Sequence, residues 1–506
     1  MEQSEELRKA ISLLIDAGYQ IDKEAFEYLK NLPQSLDLNS LIATIIEELN
    51  KLQVKPLFIN RKLLEKTAEE LQVFQKSEVF LDETVKTRFK PYAKEVEPDI
   101  KVLKDPTNEI NATGSLEDFI SYFQDRFKKI RRIMNGRLDV RDVATISEAF
   151  KAPNGSEVKF ICMIREKRES KTGIFLQVED MEATATVFVP YENHEVLSKA
   201  QRLVLDLVVC ISAKKVKDDF LMVKEILFPD VPIKKTKRAP IPVYAALLSD
   251  LHIGSRMFMK QPFKHFLQWL KGETGDTHLK QIAGHIKYLV IAGDIVDGVG
   301  IYPQQIKELQ IKDVYKQYEV AAKILQETPE YIEVIIIPGN HDASRRALPQ
   351  PAISREYAEP LYEARKIYSL GNPSIFTLHG VTMLLSHGRS LDDVISSVPG
   401  MSFQAPDEAM KLLLQCRHLA PTYGSRTLIA SERTDHLVIE TVPDIFQAGH
   451  VHVMSYSYYR GILVVNSGAW QTQTEYQKEM GHAPNPGIIP VVNLQDLGVT
   501  LINFGS

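Results

Sequence analysis

The chain has 506 residues, 44% apolar and 25% charged, ordinary proportions for a folded globular protein that at about 150 residues per domain predict roughly three domains. No apolar run reaches the ~18 residues that a membrane span needs, and MEQSEELRKA has no charged-then-apolar leader, so neither a membrane protein nor a secreted one is expected. Lys+Arg 61 against Asp+Glu 66 leaves a net charge of −5, which excludes holding nucleic acid by bulk charge but not by a local patch. Cys162, Cys210 and Cys416 are too scattered for a disulfide framework or a cysteine zinc site, and fit a reducing cytosol.

Residues 1–70 read as a small α-helical domain. Ile11, Leu14 and Ile15, then Phe26, Leu29 and Leu32, then Leu41, Ile42, Ile45, Ile46 and Leu49 fall at helical spacing, punctuated by Gly18 and Pro33. Residues 71–114 mix Lys, Glu, Asp, Pro and Asn with little periodicity and read as a flexible linker. Ser115 with Asp118 resembles a capping box opening a connecting helix within 115–139. Residues 140–230 change to a strand period. Five β-rich runs (158–164, 173–178, 183–189, 203–211 and 220–227), with a polar segment at 191–201 between the third and fourth, suggest a β-barrel of OB type. Phe160, Phe175, Phe188 and Phe220 read as its core, and the basic clusters at 128–132, 214–217 and 234–238 as solvated faces. After the linker VPIKKTKRAP, residues 241–506 alternate apolar strands with helical stretches, the pattern of an α/β sandwich or doubly wound sheet.

Six runs of this last region end in polar residues: SDLH at 249–252, GDIVD at 293–297, PGNHD at 338–342, SHG at 386–388, GHVH at 449–452 and NSG at 466–468. Ligands of α/β sheets bind outside the carboxyl ends of strands. Imidazole and carboxylate together select zinc, iron or manganese over calcium. D-x-H and H-x-H put both side chains on one side of an extended chain. Asp294 is placed to bridge two ions that clamp a phosphate for in-line attack. G-H-x-H alone has roughly 0.02 chance matches in this composition, and the ordered series of five motifs, each after an apolar run, is far rarer. His265, His278, His285, His379, His418, His436 and His482 lie outside the series and read as surface or core histidines.

On these motifs the chain resembles the calcineurin-like metallophosphoesterase superfamily. It is similar within it to the small, exonuclease subunits of archaeal family-D DNA polymerases through IAGDIVDGVGIYPQ (291–304), GNPSIFTL (371–378), HGRSLDDVI (387–395), RHLAPTY (417–423) and GILVVNSGAWQTQT (461–474). The resemblance covers roughly 140–506 and implies a multidomain fold: helical front, OB barrel and α/β metallophosphoesterase sandwich over 241–506. It implies that Asp250, His252, Asp294 and His452 hold one divalent ion and Asp294, Asn340, His387 and His450 a second. Manganese is the metal implied, with magnesium, iron or zinc compatible. His341 would be the catalytic histidine, donating a proton to the departing oxygen or stabilising charge, and Asp342 would orient an imidazole or, alternatively, be a hydrogen-bonded turn residue. Asp297 would stand behind the ligands or cap a loop. Arg389 and Ser390 would hold substrate phosphate. The implied activity is 3′→5′ proofreading hydrolysis of single-stranded or mismatched DNA ends in the archaeal cytosol. The implied partners are the large polymerase subunit, DNA and, through the complex, a sliding clamp. A non-catalytic scaffold subunit is the alternative. A phosphoprotein phosphatase is disfavoured because Gly298 and Asp342 stand where such enzymes usually carry Arg and Glu.

Overall fold

The apolar runs that end in motif residues become neighbouring strands whose carboxyl ends converge. In the computed structural model the chain divides into two units, 1–88 and 89–506. The residues described are 89–505 without 218 and 219 and, in the first unit, Ile11, Leu14, Gln20, Ile21, Ala25, Phe26, Leu29, Ile42, Phe58 and Ile59. Of these Ile11, Leu14, Ala25, Phe26, Leu29 and Ile42 are helical, and Gln20–Ile21 pairs in parallel with Phe58–Ile59, so that unit is not purely helical. The other residues of its apolar stripes, and the linker up to residue 88, lie outside the described residues.

From residue 89 onward the linker expectation fails. β1 (Ile100–Lys104) pairs antiparallel with a strand at Ser374–Leu378 and forms a sheet edge. Its alternation is hidden because only Ile100 and Lys104 are half-buried, while Lys101, Val102 and Leu103 face solvent. Long-range polar contacts fix it instead. The Asp99 amide donates to the Tyr288 hydroxyl at 3.0 Å, and Lys104 Nζ donates to the His436 carbonyl at 3.0 Å. The helix that follows, α1 (Leu116–Asn135), starts where Ser115 Oγ accepts the Asp118 amide, but the box is only half formed. The Asp118 carboxylate turns to Thr113 and Arg433 instead.

The five barrel strands are β2 (Glu157–Glu169), β3 (Gly173–Glu179), β4 (Thr184–Pro190), β5 (Val208–Lys217) and β6 (Phe220–Leu227), closed in the order β2-β3-β4-β6-β5. A helix, α2 (His194–Gln201), fills the gap between β4 and β5. β2 and β5 outrun their apolar stretches, since ladder pairing such as Arg168 with Phe175 continues where charged side chains point outward. Conversely Leu203, Val204 and Leu207, apolar in sequence, lie in the turn after α2 and join the barrel core. Phe160 is fully buried, whereas Phe175, Phe188 and Phe220 are half-buried in a row on the outer surface, correcting their reading as core. Each basic cluster has one anchored lysine: Lys129 bonds Asp125 at 2.7 Å, Lys215 the Ala152 carbonyl at 2.9 Å and Lys234 Asp444 at 2.9 Å.

Two six-stranded sheets follow. The first, in spatial order, joins Ile367–Ser369, β9 (Glu333–Ile336), β8 (Ile286–Ile291), β7 (Tyr244–Leu248), Ile488–Asn493 and Val499–Asn503, with β7, β8 and β9 mutually parallel. The second contains, from its edge, Ser455–Tyr459, Ile462–Asn466, β11 (Ile445–Ala448), β10 (Val381–Leu385), Ser374–Leu378 and β1. Strand alternation assigns the layers. Ala245, Leu247, Tyr288 and Val290 meet Met383, Leu385, Ile445 and Val465 between the sheets. Ala246, Leu248, Leu289 and Ile291 turn to helices on the outside. The outer face of the second sheet, through Leu384, Phe446 and Val464, shares one continuous core with the barrel. Gln447, fully buried, donates from its amide to the Leu248 carbonyl at 3.0 Å and the Val290 carbonyl at 3.3 Å, stitching the two sheets together beside the loops at their carboxyl ends.

α1 is fastened by a buried ion pair. Arg126 Nε meets Asp435 Oδ2 at 2.8 Å, and its other nitrogens donate to the Pro421 and Asp206 carbonyls and the Tyr122 hydroxyl. His418 Nε2 shares the same carboxylate oxygen at 2.8 Å. Removing one partner of such a pair strands a buried charge, so Arg126→Met is expected to cost about 3–5 kcal/mol in a denaturant melt. A loss below about 1 kcal/mol would refute this anchoring role.

Candidate metal centre

Five loops meet at the carboxyl ends of β7, β8, β9, β10 and β11 and carry Asp250/His252, Asp294/Asp297, Asn340/His341, His387 and His450/His452. The side chains of Asp250 and His252 do share one cavity, but not by strand alternation. Asp250, His252, Asp294, His450 and His452 have φ of 53°, 51°, 53°, 70° and 61°, the left-handed region that non-glycine residues rarely occupy. Such residues cost of order 1–2 kcal/mol each and persist where surrounding contacts impose them. Here the Asp250 amide donates to the Gly293 carbonyl at 2.9 Å, the His252 amide to the Asp294 carbonyl at 3.0 Å and the Gly449 amide to the His387 carbonyl at 2.9 Å.

Two glycines set how closely these loops approach. A Cβ on Gly339 would lie 2.1 Å from Asp294 Oδ1, and one on Gly449 would lie 2.6 Å from Asp250 Oδ2. With only hydrogen there, the His341 amide donates to Asp294 Oδ1 at 2.8 Å and the His450 amide to Asp250 Oδ2 at 2.9 Å. One oxygen of each aspartate is thus spent on a neighbouring loop, and the other faces the cavity.

Asp294 Oδ2 lies 3.3 Å from His387 Nε2, 3.8 Å from His252 Nε2 and 4.0 Å from His341 Nε2. Asp250 Oδ1 lies 3.4 Å from His452 Nε2 and 3.8 Å from His252 Nε2. Donor atoms gather in three groups: Asp250, His252 and His452; His252, Asp294 and His341; Asp294, His387 and His450. Asn340 Oδ1 adjoins the last group, 3.0 Å from His387 Nε2. Asp294 thus stands between two clusters of donors.

The residues present fit the binding of divalent cations. Asp250 Oδ1 is buried without a hydrogen-bond partner, a costly state for a carboxylate oxygen unless a cation satisfies it. His387 points Nδ1 at the Ala292 carbonyl, 2.8 Å away, so Nε2 faces the acceptors Asn340 Oδ1 and Asp294 Oδ2. Without a cation a proton must fill that gap. Burial pushes the His387 imidazole down, but Asp294 and Asp250 overturn this and raise it to about 9. Burial likewise opposes charge on His252, but Asp250, Asp297 and Asp294 raise it to about 10. Burial works against the Asp250 and Asp294 carboxylates too, yet the neighbouring imidazoles hold both well below the usual range.

His341 differs. Its Nδ1 lies 2.7 Å from the Asp297 carbonyl, and burial pushes the imidazole down to about 4 despite the nearby carboxylates. It is therefore neutral at pH 7, with the Nδ1 proton on the carbonyl and a lone pair at Nε2, opposite to a ready proton donor. Asp342 orients no imidazole. Its carboxylate accepts the Gly339 amide at 2.9 Å, the Ile295 amide at 3.1 Å and the Tyr318 hydroxyl at 3.2 Å, and so clamps the loop backbones. Ser390 is buried and donates to the Leu419 carbonyl, which removes it from the substrate side. Arg389 does line the cleft. Asp297 stands behind the ligands, with Oδ1 3.0 Å from His252 Nδ1 but too poorly aligned for a hydrogen bond.

Sequence reasoning missed Asp392, whose Oδ2 lies 3.0 Å from His450 Nε2, and Gln477, whose amide lies 2.9 Å from His452 Nδ1. It also missed Arg426 and placed His482 outside the site, though both line the cleft. Asp392 sits five residues after His387 within the stretch HGRSLDDVI, a usable signal; Arg426 and His482 arrive from loops and Gln477 from the short helix Glu475–Glu479, all without a motif.

Comparison with known proteins places these residues in context. A family model for the B-type subunits of DNA polymerases alpha and epsilon matches residues 245–455. The DNA polymerase II small subunit of Methanothermobacter thermautotrophicus is 42% identical over 398 residues, 78% of this chain and 81% of that one. That of Pyrococcus furiosus is 35% identical over 491 residues, 90% of this chain and 80% of its own. That of Pyrococcus abyssi is 39% identical over 416 residues, 81% of this chain and 67% of its own.

Two outcomes are expected here. A cation must displace the protons on His252 and His387, so apparent manganese affinity should rise as pH rises from about 6 to 8. The slope should approach a hundredfold per unit where two protons leave, read by titration calorimetry; a flat profile would contradict the donor assignment. Gly339→Ala, which drives a methyl into Asp294, should weaken manganese binding on the order of 10-fold or more.

Proposed function

Because the chain belongs to the family of archaeal DNA polymerase II small subunits, and is thus a replicative polymerase subunit with a large catalytic partner, we propose that it supplies the polymerase with a metal-dependent 3′→5′ exonuclease. The substrate is a single-stranded or mismatched DNA end, and the product a nucleoside monophosphate. The observation that carries this reading is the convergence of Asp250, His252, Asp294, Asn340, His387, His450 and His452 on one cavity with Asp250 Oδ1 left unpartnered. A decorative site on a scaffold subunit gives no reason to bury such an atom.

Asp250, His252, Asp294 and His452 would hold one divalent ion, and Asp294, Asn340, His387 and His450 the other; manganese suits both donor sets. Bound there, the ions would supply Lewis acidity to the scissile phosphate. The chain's own groups do the rest. Arg389 and Arg426 line the cleft and offer guanidinium donors to phosphate oxygens. The neutral His341 presents Nε2 as a base. Nε2 can take up a proton from solvent and deliver it to the 3′ oxygen as the P–O3′ bond breaks, while the attacking water on the opposite side of phosphorus loses its proton to solvent. Asp297 holds the ring in that tautomer through its carbonyl. DNA and, through the complex, a sliding clamp complete the set of partners in this reading.

A phosphoprotein phosphatase is the weaker reading for a steric reason. Gly298 has φ 68°, and a Cβ there would meet the His341 carbonyl oxygen at 2.4 Å, leaving no room for the arginine such enzymes carry. The test incubates the purified protein, alone and with the large subunit, with manganese and a labelled single-stranded oligonucleotide. Wild type is expected to degrade it from the 3′ end, with His341→Ala slower by about 10²–10⁴-fold. No cleavage in either setting would overturn the proposal, and equal cleavage by both proteins would trace the activity to a contaminant.

A further inference from the structure

Hydrolysis of a phosphodiester requires no aromatic ring beyond its metal donors and acid–base group, yet the cleft over the candidate metal centre carries four rings besides the motif histidines. It holds about 210 Å³, and Tyr302, Phe403, Tyr476 and His482 line it together with Arg389 and Arg426. Tyr302 and Tyr476 are stacked, ring centres 5.1 Å apart with planes 27° from parallel, and Tyr302 stands 6.1 Å from the His341 ring. Phe403 and His482 form a second, edge-to-face pair at 4.3 Å. His482 lies within electrostatic reach of Asp392, His450 and Arg426, so this pair flanks the His450 side of the site. Tyr476 is 43% exposed and the other three rings are half-buried, so each keeps surface that the protein leaves uncovered. Two of these residues are also tied down, one by its hydroxyl and one by its backbone. The Tyr302 hydroxyl donates to Glu308 Oε2 at 2.6 Å, and the Gln473 amide donates to the His482 carbonyl at 2.6 Å.

We propose that the Tyr302–Tyr476 and Phe403–His482 pairs form a base-stacking subsite that grips the last nucleotides of a single-stranded 3′ end, with Arg389 and Arg426 on its phosphates. This deepens the exonuclease reading and rests on it. A strand end offers a flat π face and an anion with every nucleotide, which matches alternating rings and guanidinium groups. A phosphopeptide or small phosphate ester offers the anion without the ring. Base–aromatic stacking tolerates any sequence, since every base has a π face, which suits an activity that must accept all four bases. The subsite also favours an unpaired terminus, because a base inside a duplex already spends its faces on its neighbours.

The test uses the complex with the large subunit and compares wild type with Tyr302→Leu/Tyr476→Leu and, separately, Phe403→Leu, none of which replaces a metal donor or His341. Binding is read with calcium in place of manganese, from the quenching of 2-aminopurine at the 3′ terminus of an oligonucleotide. Cleavage is read with manganese on a normal strand and on one whose last two nucleotides are abasic. Wild type is expected to quench the probe and to prefer the normal end by about 10- to 100-fold. In each variant that preference, read as the ratio of the two cleavage rates within one protein, should fall to within about 3-fold. A wild type that treats both ends alike, or variants that keep the full preference, would overturn the subsite. Failure of every protein to cleave either strand would instead strike the nuclease reading, while the quenching arm still reports whether the rings stack a base. Using two separate walls keeps the outcome decisive if one variant folds poorly.

Discussion

The site is organised around one carboxylate. Asp294 is almost fully buried, and one of its oxygens is committed to the His341 amide while the other faces His252, His341 and His387. Burial alone would drive it to the neutral form; the surrounding imidazoles keep it charged. Those imidazoles in turn hold or release protons according to the balance between burial and the carboxylates around each of them. His387 and His252 are raised, and His341, shielded by burial and turned to a carbonyl, is lowered. Protonation states across the cavity therefore depend on the buried carboxylates Asp250, Asp294 and Asp297 set against the burial of the imidazoles.

Holding that charge in place requires backbone that approaches closer than side chains normally permit. Gly339, after a neighbouring strand of the same sheet, and Gly449, from the opposite sheet, let their loops touch Asp294 and Asp250 respectively, and five donor residues accept left-handed conformations. The strain is carried by hydrogen bonds between loops, by the Asp342 clamp and by Gln447 across the two sheets. Asp342 illustrates the economy of this arrangement. A residue inside a motif serves the site by fixing the amides of two loops rather than by touching an imidazole.

The barrel and α1 are tied to the sheets by a continuous apolar core and by the buried Arg126–Asp435–His418 cluster. That cluster explains why His418, which lies in no ligand motif, is nonetheless buried and hydrogen-bonded. It also shows that a basic stretch in sequence need not be a solvated face, since Lys129 beside it donates to the Asp435 carbonyl.

Much of the site was legible in the sequence. Apolar runs capped by D-x-H, G-D-x-x-D, G-N-H-D and G-H-x-H identified the residues that converge, because strand burial and donor chemistry are both local properties of the chain. The barrel strands were legible for the same reason, apart from the charged ends of β2 and β5. What the sequence could not contain was direction. Whether His341 presents a proton or a lone pair depends on the Asp297 carbonyl, 44 residues away in the chain. Whether Ser390 faces substrate or the Leu419 carbonyl depends on packing, as does the appearance of Arg426, Tyr476 and His482 around the cleft. The edge strand β1 was hidden because its pairing is made by backbone groups and distant side chains, with almost no buried face to set a period. Donor types and their order were decided by the residues themselves. Their orientation, protonation and the aromatic walls above them were decided by the fold, since each arises from contacts between segments that the chain keeps far apart.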